Sequence, residues 1–200
     1  MSANATERLG VMRAPASLEI IQDFVNTDAA GQTDLLADVV TAQQWFEPIL
    51  ARHTPEPGSA SAVLNGHDLQ RLTEMRVKLR EALRRSESAG GVVPDWIAKS
   101  GVSVGLRQAG DGTVTVMPQG KGWRLVASLL LMQSLLAQRT ALWPRLKICR
   151  NPVCGTAFYD RSRNNSGVWH DVLTCGNTIN LRTSRARRRA AQAQPGNPPR

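Results

Sequence analysis

The sequence predicts a mainly α chain with a small β-hairpin: a helical N-terminal domain, then a small cysteine-bearing module that closes on a basic helix. Two patterns carry the first half of that expectation. Apolar residues recur at helical steps in successive segments, and strict alternation occurs once, on either side of Gly110-Asp111-Gly112. The second half rests on crowding, because all three cysteines and the whole positive excess fall after Gln138.

Residues 1–14 carry no period and read as a flexible tail, and residues 15–143 as a helical regulatory or sensor domain. Ser17 stands where it can cap a helix whose inner face is Leu18, Ile20, Ile21, Phe24 and Val25. The polar residues 27–34 make a loop. A second helix is expected over 42–51, with Trp45, Phe46, Ile49 and Leu50 inward, and His53-Thr54-Pro55-Glu56-Pro57-Gly58 breaks the chain after it. The clearest helix runs over 68–86. Leu69, Leu72, Met75, Leu79 and Leu83 share one face of it, and Arg71, Arg76, Lys78, Arg80 and Arg84 take the others. Gly90-Gly91 and Pro94 end it. Val102, Val104 and Leu106 alternate before the Gly-Asp-Gly turn and Val114 and Val116 after it, which is a hairpin. Residues 123–139 form a helix too apolar to be exposed on most sides. The indoles of Trp45, Trp96, Trp123 and Trp143 are assigned to the core, with a ligand pocket as the alternative, and the pattern names no ligand-binding residue.

The formal charge of +9 and the pI near 10.7 point to a polyanionic partner. From Arg139 onward twelve basic residues face two acids, Asp160 and Asp171, whereas the first 138 residues carry a net −1. The footprint is therefore local. A membrane partner is not expected. The longest apolar stretch, 125–137, is interrupted by Ser128, Gln133 and Ser134 and falls short of the roughly 20 residues a spanning helix needs. The first residues also lack the layout of a secretory signal, so a cytoplasmic protein is expected.

Three clustered cysteines in such a protein argue against a disulfide framework. Three thiolates need one more ligand to close a tetrahedral zinc site, and His170 is placed to supply it. The string Cys149-x4-Cys154-x15-His170-x4-Cys175 makes two close pairs across a loop, the layout of a module holding one Zn2+. Asn151-Pro152 and Gly155 favour a tight knuckle between the first pair, and Ala157-Phe158-Tyr159 reads as a short strand. Cys175-Gly176-Asn177 falls where a helix starts, and helix N-terminal amides favour thiolate charge. Four protein ligands leave no open position, so the metal is structural rather than catalytic. Three unliganded buried cysteines and a thiol redox site are the competing readings. His53 and His67 have no such partners and read as surface residues.

The run from Cys149 through Arg150-Asn151-Pro152-Val153-Cys154-Gly155-Thr156-Ala157-Phe158-Tyr159-Asp160-Arg161-Ser162-Arg163-Asn164, followed by Trp169 and Cys175-Gly176-Asn177, resembles the CGNR zinc finger. In that family the finger follows a helical domain ascribed to stress-induced transcription regulators. Asp23-Phe24-Val25-Asn26-Thr27, Asp34-Leu35-Leu36, Trp45 and Leu79-Arg80-Glu81-Ala82-Leu83-Arg84 resemble parts of that domain. The resemblance implies a treble-clef-like zinc finger over residues 144–190, ending in the basic helix, while the Ala/Gln/Pro composition of residues 191–200 reads as a disordered tail. It also implies a DNA-binding role in a stress response. Two positions depart from it. His170 stands where the family usually has Cys, and Thr178 stands where the fourth residue of its signature is Arg, which puts the DNA contacts in question more than the fold.

On a helix starting at Asn177, Arg182, Arg185 and Arg189 fall along one stripe, while Ile179 and Leu181 are expected to pack toward the finger. Such a helix fits the major groove, where Arg reads guanine and Asn reads adenine. Asn177 and Asn180 are candidate contacts there, Asn180 as a base reader. Arg187 and Arg188, with Arg161 and Arg163 on the loop, are better suited to phosphates. Phe158, Tyr159 and Trp169 are expected around the metal rather than stacked on bases. The sequence thus points to a regulator of transcription binding duplex DNA, whose N-terminal domain senses a small-molecule effector or forms a homodimer. The alternative is a non-specific RNA- or ribosome-associated zinc protein. An enzyme is not expected, because no nucleophile elbow, phosphate loop or metalloprotease motif occurs, and Asp23, Asp28 and Asp34 lie near a loop as helix caps do.

Overall fold

The computed structural model describes residues 4–29, 31–53, 63–86 and 100–193. Trp96, the Gly90-Gly91 and Pro94 breaks, the break after His53 and the tail from 194 lie outside the described residues. About half of the chain is helical, and the described residues hold two antiparallel hairpins rather than the one expected. The elements in order are α1 (Leu18–Val25), α2 (Val39–His53), α3 (Gly66–Ser86), β1 (Val104–Gln108), β2 (Val114–Pro118), α4 (Trp123–Arg139), β3 (Leu146–Ile148), β4 (Ala157–Tyr159) and α5 (Asn177–Ala193).

Local chemistry sets the helix ends. Ser17 precedes α1 but its side chain makes no capping bond. Asp38 starts α2 instead, its carboxylate accepting from the Thr41 amide at 2.9 Å and the Thr41 hydroxyl at 2.6 Å. Asn65 and Asp68 cap α3 reciprocally, at 3.1 and 3.0 Å. The same Asp68 accepts from the Trp123 amide at 3.0 Å and so ties the start of α4 to the start of α3. Gly122 makes that possible: its φ is +54°, and a Cβ there would sit 2.5 Å from Asp68 Oδ1.

One apolar cluster joins α1, α2, α3, α4 and, through Leu146, Ile148 and Ala157, the hairpin β3–β4. Trp45, Trp123 and Trp143 belong to it. The β1–β2 hairpin lies on α4, with Val104 and Val116 against the core, but its far end overhangs, leaving Leu106 74% exposed despite its inward parity.

Several readings from the sequence change. Residues 4–14 are not a loose tail: Ala5 and Thr6 are buried, the Thr6 amide donates to Asp23 Oδ1 at 2.8 Å, and Gln22 holds Ala14 N and Met12 O. Polar anchors fix this segment, and polar anchors have no sequence period. Arg76 does not share the solvent face of α3. It is buried, pairs through both terminal nitrogens with Asp34 at 2.6 and 2.7 Å, and donates to Thr27 Oγ1. Arg80 donates to Val25 O at 2.8 Å and to Asp28 at 3.1 Å. Asp28 and Asp34 therefore fasten the loop after α1 to α3 rather than capping helices. His53 is half-buried, 3.5 Å from Gln133, while His67 is exposed as expected.

The join between the two halves is polar at its centre. Asn26 Nδ2 donates to Ala157 O at 3.0 Å, and Ala157 N donates back to Asn26 Oδ1 at 2.8 Å. Gln22 Nε2 adds a donor to the same carbonyl at 3.3 Å. The side-chain amide thus stands in for a neighbouring strand at a residue with no solvent access. Replacing it strands the Ala157 N–H, at about 1–3 kcal/mol for each buried polar group left without a partner. Asn26→Ala is expected to lower the unfolding free energy by about 2–3 kcal/mol in urea titrations, and a loss below 0.5 kcal/mol would show the clamp to be ornamental.

Candidate metal centre and nucleic-acid interface

β3 delivers Cys149 directly from the core. The Cys149 amide donates to Thr156 O at 2.9 Å, and Cys154 N to Asn151 O at 3.0 Å, which folds 149–156 into the expected knuckle. Gly155 turns it at φ +69°. The second ligand pair arrives on a loop held by a buried ion pair. Lys147 Nζ lies 2.7 Å from Asp160 Oδ2 and also donates to Asn165 O and Gly167 O. Asp160 in turn accepts from the Ser162 and Gly167 amides. Burial would raise the Asp160 carboxyl, but Lys147 and those amides outweigh it and hold it well below the usual carboxylate range. Asp171 then caps a π-helical turn, Val172–Gly176, that carries Cys175 into α5.

The result is a closed set. Donor atoms of Cys149, Cys154, His170 and Cys175 all lie within 4.8 Å of one another, and Cys154 Sγ is 3.3 Å from His170 Nδ1. A tetrahedron with Zn–S near 2.3 Å needs sulfurs about 3.8 Å apart, so three thiols and an imidazole at this spacing fit one structural zinc ion. The three cysteines are buried and none is bonded to another. Hydrogen bonding from Cys149 lowers the Cys154 thiol against its burial, with help from His170 and Thr156, and the same bond raises Cys149. His170 is raised by its bond to Cys154, and a metal, which takes only the neutral imidazole, would compete with protons for it.

Two supports around the ligands have no counterpart in the spacing of the motif. Asn151 Nδ2 donates to Cys175 Sγ at 3.2 Å, linking the knuckle to the second pair. Trp169 lies against the three cysteines, and Gly176 packs close beside it, where a Cβ would fall 3.1 Å from the ring and press on it. Tyr159, expected near the metal, instead packs on the main core. Asn151 was legible as a turn residue but not as a sulfur donor.

Residues 145–188 match the CGNR zinc finger. No curated protein matches the chain. The finger contains the knuckle, both ligand pairs and most of α5, and its hairpin is part of the common core.

The candidate nucleic-acid residues divide into three places. Arg163 is exposed on the loop. Arg161 donates to Arg13 O at 2.9 Å and lies over the Tyr159 ring, so part of its guanidinium fastens the finger to the N-terminal segment. The rest lie on α5. Ile179 is half-buried, but Leu181 is 56% exposed, contrary to expectation, because α5 leaves the body of the finger after its first turn. Every residue from Asn180 to Ala190 is exposed. Thr178, in the signature Arg position, bonds back to Thr174 O at 2.7 Å. At about 100° per residue Arg182, Arg185 and Arg189 share a stripe, while Asn180 and Arg187 fall on the opposite side with Asn177 and Arg188 nearer to them.

Removing Asn151 leaves the ligands in place but takes a donor from Cys175. Support of this kind is worth about 10–100-fold in metal affinity. Competition with a chromophoric chelator should show one zinc per chain in the wild type, that loss in Asn151→Ala, and a larger one in His170→Ala. His170→Cys should keep the stoichiometry, and loss of zinc from that variant would contradict the ligand assignment.

Proposed function

We propose that the protein is a non-enzymatic, cytoplasmic regulator of transcription in a stress response. In this reading α5 binds duplex DNA, the zinc centre fixes its base, and the N-terminal domain senses an effector or dimerises. The observation that carries it is α5 itself. Beyond Ile179 it is a free helix with Arg182, Arg185, Arg187, Arg188 and Arg189 exposed, and no acid occurs from Val172 to Ala193. A helix of this width enters the major groove, and arginines on opposite sides of it reach the phosphates of both walls. Asn180 and Asn177 lie near the finger end, where base edges are nearest. Among the described residues no helix is long and apolar enough to cross a membrane.

The free helix also has a thermodynamic consequence. Arg182–Arg185, Arg185–Arg188 and Arg185–Arg189 are like-charge pairs at helical neighbour spacing, and a segment of this length without tertiary contacts is marginal in water. Phosphate contacts remove both penalties. Circular dichroism is expected to gain helix when duplex is added, and an unchanged spectrum would contradict binding through α5.

The decisive test is selection of duplexes from a random pool at about 150 mM salt, with and without a zinc chelator. One enriched motif, lost on chelation, is expected, and Asn180→Ala should relax it at one position. Replacing Arg182, Arg185 and Arg189 together by Ala should lower the slope of log K against log salt by about 3 if each touches a phosphate. No enrichment with equal or tighter binding to structured RNA would favour the RNA-associated reading.

A further inference from the structure

α5 carries two large apolar side chains, and their surroundings differ. Ile179 is half-buried, and with the half-buried Thr178 it marks the side of the helix that meets the finger. Leu181 lies only two residues further on, yet it is 56% exposed. At about 100° per residue, the direction away from Thr178 and Ile179 is shared by Asn177, Asn180, Leu181, Ser184 and Arg188, all of them exposed. Arg182, Arg185 and Arg189 fall on one flank of this outward face and Arg187 on the other, and no acid occurs on α5. Cationic flanks suit the two phosphate walls of a groove, and the face between them, with its amides, hydroxyl and leucine, suits base edges.

Resting on the duplex-binding reading above, we propose that Leu181 reads thymine, packing its branched end on the C5-methyl group in the major groove. That methyl is the one apolar feature among the base edges there, and every other distinguishing group is a hydrogen-bond donor or acceptor. A leucine supplies the contact and has nothing to offer the polar edges. Asn177 and Asn180, on the same face one turn and one residue earlier, are placed for the polar edges beside it. The methyl also separates DNA from RNA, whose uracil lacks it and whose major groove is too narrow for side chains to read.

The test uses the full, zinc-loaded chain and a duplex enriched from the random pool. Each thymine is replaced in turn by uracil, which removes the methyl and nothing else, and binding is followed by fluorescence anisotropy at about 150 mM salt. One position is expected to lose about four-fold in affinity, the worth of a single buried methyl group, and the others little. In Leu181→Ala, at an exposed side chain, the thymine and uracil duplexes should bind equally at that position, with zinc content and melting temperature unchanged. Leu181→Met, still apolar, should keep the preference. Failure to enrich any duplex would remove the DNA-binding reading and the role of Leu181 with it. An enriched duplex with no uracil-sensitive thymine, or a sensitivity that survives in Leu181→Ala, overturns the role of Leu181 alone. An equal loss on every duplex in Leu181→Ala does the same, since Leu181 would then touch protein rather than a base.

Discussion

The chain is organised around the burial of a six-residue hairpin. Leu146, Ile148 and Ala157 sit in the same apolar cluster as the helices, between α1 and α3. Cys149 follows Ile148 directly, so the first metal ligand is placed by the hydrophobic core rather than by the finger alone. The knuckle, the second ligand pair and the base of α5 then inherit that placement in turn. Because backbone inside a core must keep its hydrogen bonds, the edge of the hairpin needs a partner, and Asn26 supplies one from a helix.

Buried charge does the remaining positioning. Arg76 with Asp34, and Lys147 with Asp160, each pin a loop that has little apolar surface of its own. Loops carry too few apolar atoms to be fixed by burial, so directed bonds fix them. The loop held by Arg76 and Arg80 joins α1 to α2; the one held by Lys147 delivers Trp169 and His170. Such pairs add specificity of arrangement more than net stability, since the cost of desolvating both ions offsets much of their attraction.

Residue patterns made the helices, the first hairpin and the four metal ligands legible, because these rest on periodicity and on ligand spacing. They did not show β3, whose three residues are too short for any period to register, nor the docking of residues 4–14, which depends on Asp23 and Gln22. Arg76 was misplaced for a related reason: an arginine within an amphipathic helix reads as solvent-facing unless its acidic partner, 42 positions away, is known. The inward reading of Leu181 failed because helical parity says where a side chain points but not how far the supporting body extends.

The free length of α5 has a mechanical meaning. From Asn180 to Ala193 it projects about 20 Å at 1.5 Å per residue, and only its first turn touches the finger. It is a cantilever clamped at one end, and the clamp is Cys175 with the π-helical turn around it. With zinc held by Cys175, the direction of the arm would be set by that one ligand and a few side chains near the pivot, where a small rotation becomes a displacement of several ångströms at the tip.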